Sequence, residues 1–163
     1  NTSPAYRANL KVFIKNGGFS SYQSEYPFDM CTKNGSILSP IYNLLDPNAD
    51  KNLIFLINIF EKPINENFET YLIDSEKKII ITKFLCKTNY VNKLVIERNL
   101  IKPNIFLFTK KYLGIPTFLT IKNNHLSFEH THPPHEYILN KEKFKIVADL
   151  KNKFNDIINK ENS

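Results

Sequence analysis

Residues 115–132 read IPTFLTIKNNHLSFEHTH, and this stretch decides the fold. Asn123 and Asn124 stand at its middle, and asparagine tolerates the left-handed backbone that a tight hairpin turn requires. With these residues as the turn, Ile121 faces Leu126, Leu119 faces Phe128, Thr117 faces His130 and Ile115 faces His132. Directly opposed residues share a face, so this whole set lies on one side of the ribbon. Lys122 with His125, Thr120 with Ser127, and Phe118 with Glu129 make the other side. The first side is the more apolar and is expected to be buried, with His130 and His132 continuing it. Pro133-Pro134 must end the strand, because proline donates nothing to a ladder.

Upstream, the same period of two recurs. Residues 8–14 alternate, with Ala8, Leu10, Val12 and Ile14 on one face and Asn9, Lys11 and Phe13 on the other. Asn16-Gly17-Gly18 follows as a turn. Residues 19–30 have no clean period, and residues 37–45, broken by Pro40, read as an irregular strand or a short helix. Residues 53–60 (LIFLINIF) suit a strand buried on both faces. Residues 69–73 and 78–85 flank a hairpin turn, and 90–97 and 105–110 add further strands. Downstream, Asn140 is a helix cap, and Phe144, Val147, Leu150, Phe154, Ile157 and Ile158 recur at helical spacing. The expected architecture is a single, mainly β domain: an antiparallel β-sandwich or jelly-roll-like barrel over residues 8–139. One C-terminal amphipathic helix over about 141–160 covers a sheet.

Composition narrows the function classes. The chain has 163 residues, 42% of them hydrophobic, which is enough for one real core. Its net charge is +6, yet only two of its 22 basic residues are arginine, Arg7 and Arg98. Lysines scattered among asparagine and isoleucine fit an AT-rich genome better than a nucleic-acid footprint, which favours clustered arginine forks. The longest apolar run, residues 53–57, is far too short to span a membrane. The first residues lack the apolar core of a secretory signal, so the expectation is either a cytoplasmic protein or a sequence that begins after something was removed. Cys31 and Cys86 form neither a CxxC nor a zinc framework and read as buried free thiols. With four glycines in total there is no phosphate loop, no GxSxG elbow and no dinucleotide fingerprint.

The chemistry concentrates at residues 125–136, HLSFEHTHPPHE, which hold all four histidines together with Glu129 and Glu136. Residues i and i+2 of a strand point the same way, so His130 and His132 present two imidazoles side by side. His135 or Glu136, beyond the proline corner, would complete a site for Zn²⁺, Fe²⁺ or Mn²⁺. Glu129 and Glu136 would serve as acid-base groups or fix imidazole tautomers. The bland reading is that these histidines only pack and hydrogen-bond, with His130 donating to Thr117 and His125 idle at the turn.

The spacing His130-x-His132-x-x-x-Glu136 resembles the first half of the cupin signature, which implies a jelly-roll barrel with those residues as ligands. The flanking cupin glycines are replaced by Asn124 and Lys143, and the second motif is missing. The same residues resemble the His-x-His-Pro of JAMM metalloproteases, but Asn140 and Lys143 stand where that family has Ser and Asp. Neither family is adopted.

A second stretch, residues 17–30, sets Tyr22, Tyr26 and Phe28 among serines, Glu25 and Asp29. Aromatic rings with polar neighbours suit sugar binding, so Tyr22, Glu25, Tyr26 and Asp29 are candidate ligand contacts. Two functions follow. One is a histidine-based metal or acid-base site acting on a polar small molecule such as a sugar. The other is a non-catalytic carbohydrate- or protein-binding module. A homodimer burying one sheet face is a further expectation.

Overall fold

The computed structural model describes residues 8–24, 35–57, 64–111, 115–131 and 134–161. The chain runs β1 (Ala8–Phe13), β2 (Phe19–Ser24), β3 (Leu38–Pro40), β4 (Lys51–Ile57), β5 (Asn67–Asp74), β6 (Ile79–Lys87), β7 (Val91–Val95), β8 (Ile105–Thr109), β9 (Ile115–Lys122), β10 (His125–His130) and α1 (Lys143–Glu161). The strands form two four-stranded antiparallel sheets, β10-β9-β4-β7 and β3-β8-β5-β6, and a separate β1-β2 hairpin. The fold is therefore mainly β, with the sheets stacked as a sandwich and one C-terminal helix.

Alternation along each strand explains the stacking. Ile54 and Leu56 of β4, Leu94 of β7 and Phe118 of β9 share a buried cluster with Phe68 and Leu72 of β5 and Ile105 and Leu107 of β8. Their neighbours in sequence face outward. Tyr71, Ile73 and Phe108 meet Phe154, Ile157 and Ile158, so α1 covers the far face of the β3-β8-β5-β6 sheet. Phe108 meets Phe154 edge-on, centroids 5.5 Å apart. On the opposite side Val12 of the hairpin packs with Leu119, Phe128, Leu53 and Phe55. The order of layers is α1, sheet, sheet, hairpin.

The hairpin register read from sequence is the one observed. Ile121 pairs with Leu126, Leu119 with Phe128, and Thr117 with His130. Asn123 and Asn124 take φ of 47° and 61°, the left-handed conformation the turn needs. At the β1-β2 turn the positive φ belongs to Asn16, not to a glycine. Gly17 is required for another reason: a Cβ there would lie 2.8 Å from the Asn124 carbonyl oxygen. The tip of one hairpin thus sits on the turn of the other, with Gly18 N–H donating to that same oxygen at 3.4 Å.

Several expectations are corrected. β2 is a strand although its sequence, FSSYQS, lacks alternation, because pairing with β1 defines it. Of the two expectations for residues 37–45, the irregular strand is the one observed: the short β3, followed by a turn in which the Leu44 and Leu45 N–H groups donate to the Ile41 carbonyl. Phe144, counted among the periodic apolar residues of the helix, is exposed, its ring set beside that of His135 and not in the cluster under the helix. The helix is capped as expected, with Asn140 Oδ1 accepting from Glu142 N–H at 2.7 Å.

Buried polar groups staple the crossings. Asn52 Nδ2 donates to the Asp46 carbonyl at 2.9 Å, while its Oδ1 accepts from Asp46 N–H and Thr120 Oγ1. Asp74 closes the β5-β6 turn by accepting from the Glu76 and Lys77 N–H groups. Burial pushes its carboxyl up, but those donors outweigh that and hold it below the usual carboxylate value. Cys86 is buried and free, with Thr70 Oγ1 3.4 Å from its sulfur, and burial pushes the thiol up. Cys31 lies outside the described residues. Among the described residues no helix is long and apolar enough to cross a membrane.

Candidate functional site

His125 and His130 stand at opposite ends of β10. His125 is exposed at the turn, opposite Lys122. His130 ends the same strand five residues on, about 17 Å away at strand rise. His135 lies in a short 3-10 turn, with Nε2 3.1 Å from Glu136 Oε1 and its ring 4.9 Å from that of Phe144. Glu129 is exposed on the face of β10 opposite His130, and Glu136 is exposed at its pairing with His135. His132 lies outside the described residues. Among those described, no group of three His, Cys, Asp or Glu comes together as a metal site.

The face that carries His130 is the outer face of its sheet. β9 is buried on both sides: Phe118 in the core between the sheets, and Leu119 beneath the β1-β2 hairpin. The expected burial of the Leu119 side is observed, and the Phe118 side is buried as well, since a central strand of this sheet has a layer on each face.

Thr117 sits opposite His130 and is only 4% exposed. Among the described residues its Oγ1 has no hydrogen-bond partner, so the expected donation from His130 to Thr117 is not made. Strand pairing extends this row across the sheet: Thr117 lies opposite Phe55 of β4, and Phe55 opposite Lys93 of β7. Cover thins along it. Thr117 is buried, Phe55 half-buried, and Lys93 exposed between Val91 and Val95, which are also exposed. Sequence reasoning reached Thr117 and His130 but missed Phe55 and Lys93. Those two join the row through the β9-β4 and β4-β7 pairings, which leave no local signal.

The second stretch is described only in part. Tyr22 lies opposite Leu10 in the β1-β2 pairing. Glu25, Tyr26 and Asp29 lie outside the described residues. On the same hairpin Phe13 and Phe19 pair across the strands with ring centroids 5.7 Å apart, 67% and 63% exposed. They are the hairpin's described aromatic surface, and residue order did not single them out.

Compared with protein-family models, curated proteins and solved structures, the chain matches none.

Proposed function

We propose that the protein is a non-catalytic β-sandwich module that binds a polar small molecule such as a sugar. The ligand lies on the outer face of the β10-β9-β4-β7 sheet, beside His130. The supporting observation is the Thr117 hydroxyl, buried without a partner opposite an imidazole. Leaving a buried polar group unsatisfied costs about 1–3 kcal/mol. In the described fold the Thr117 oxygen is sealed from solvent, so a ligand hydroxyl recovers that cost only by displacing its cover. The non-catalytic form is favoured because Glu129 sits on the opposite face and the Glu136 carboxylate is engaged by His135.

The Thr117→Val variant tests this with two readouts. It keeps the shape and removes the orphan hydroxyl, so stability is expected to hold or to rise by roughly 0–1 kcal/mol in urea unfolding. Sugar affinity is expected to fall about tenfold, the loss of one good hydrogen bond. Binding unchanged in a stably folded variant would end the reading.

The i,i+2 spacing of His130 and His132 favours a second reading, a Zn²⁺, Fe²⁺ or Mn²⁺ site completed by His135 or Glu136, with an acid-base role for Glu136 or Glu129. Calorimetric zinc titration checks it. Stoichiometric binding lost in both His130→Ala and His132→Ala is the expected signature; wild-type protein that takes up no zinc would dismiss it.

A further inference from the structure

We infer that two copies of this chain associate through β7, antiparallel and centred on Val95, so that the β10-β9-β4-β7 sheet continues into the partner's. The association does not depend on the proposed ligand. Among the described residues no strand pairs with the outer side of β7. Ile96 N–H donates to the Asn52 carbonyl at 2.9 Å, on the β4 side. Bonding direction alternates along an antiparallel strand, so Lys93, Val95 and Glu97 turn their N–H and C=O groups to the free edge. The backbone is still extended at Glu97, with φ of −70° and ψ of 145°.

The side chains make this edge self-complementary. Val91, Lys93, Val95 and Glu97 are exposed on the outer face of the sheet, while Asn92, Leu94 and Ile96 between them are buried. Among the described residues neither Lys93 nor Glu97 has an ion-pair partner. They cannot pair with each other, since four positions of strand hold them about 13 Å apart. A lysine on an edge strand normally blocks pairing, and a copy centred on Lys93 would set two ammonium groups directly opposite. A copy centred on Val95 instead sets Lys93 opposite the partner's Glu97, twice by symmetry, and brings the two exposed Val95 side chains together at the twofold axis. The other edges lack this match. β3 ends in Pro40, which donates nothing to a ladder. β6 carries Lys83 and Lys87 but no carboxylate. β10 has β2 of the hairpin against it.

The test is sedimentation equilibrium of the wild-type chain over a concentration series up to about 1 mM, where it is expected to pass from monomer to dimer. Lys93→Glu and Glu97→Lys are each expected to weaken association about tenfold, because each sets like charges opposite at both symmetric positions. The combined Lys93→Glu/Glu97→Lys variant is expected to regain wild-type association. Repulsion between whole protomers predicts the opposite sign for Lys93→Glu, which brings the net charge of +6 nearer to zero. Both side chains are exposed, so circular dichroism is expected to show every variant folded. A wild-type chain that stays monomeric throughout would overturn the inference. So would a dimer indifferent to the single reversals, or a combined variant no tighter than either of them.

Discussion

Phe118→Ala is expected to destabilise the domain by about 3–5 kcal/mol, read as a lowered midpoint in denaturant unfolding. Phe118 is fully buried, and its cluster takes side chains from both sheets. It lies on β9, between β4 and β10, so deleting the ring opens a cavity where backbone pairing on both sides restrains collapse. A domain of this kind is stable by about 5–15 kcal/mol, so the variant would have little margin left. Leu85→Ala is the control, because Leu85 is largely exposed on the edge strand β6 and its loss should scarcely register. A Phe118→Ala effect as small as the control's would mean that the sheets do not meet at this residue.

Asn92→Leu is the second large effect, expected to cost about 2–4 kcal/mol although the side-chain size is nearly kept. Asn92 is buried at the junction of β6, β7 and β4. Its two Nδ2 hydrogens are shared among the carbonyls of Leu56 at 3.2 Å, Lys87 at 2.8 Å and Tyr90 at 3.3 Å, and its Oδ1 accepts from Lys87 N–H at 2.8 Å. Leucine would strand these backbone groups where the chain passes from one sheet to the other. The contrast with Thr117→Val is informative. Both variants replace a buried polar side chain with an apolar one, yet the expected signs differ. Asn92 satisfies the backbone around it, whereas the Thr117 hydroxyl satisfies nothing in the described fold.

Much of the architecture was legible because it is written in short-range pattern. The β9-β10 register followed from Asn123-Asn124 and the alternation on either side, and α1 from its cap and apolar spacing. β2 was missed because FSSYQS carries no period, and its strand state comes from pairing with β1. Phe144 misled for a related reason: helical spacing marks a face, but which residues of that face are covered depends on tertiary packing, which buries Phe154, Ile157 and Ile158 and leaves Phe144 exposed. Of the proposed site, residue order singled out His130 and the Thr117 opposite it. The density of residues 125–136 in histidine pointed to His130 and His132 with His135 or Glu136, and left His125 idle at the turn; His125 is exposed there, alternation puts Glu129 on the face opposite His130, and His132 lies outside the described residues.

By itself the amino-acid sequence determined the β class, the β9-β10 pairing and the C-terminal helix, since each depends on residues only a few positions apart. Only the tertiary structure decided that both faces of β9 are covered, that the Thr117 hydroxyl is buried without a partner, and that Phe55 and Lys93 stand in line with His130. Strand pairing and layer packing join residues dozens of positions apart, and no local period encodes such distances.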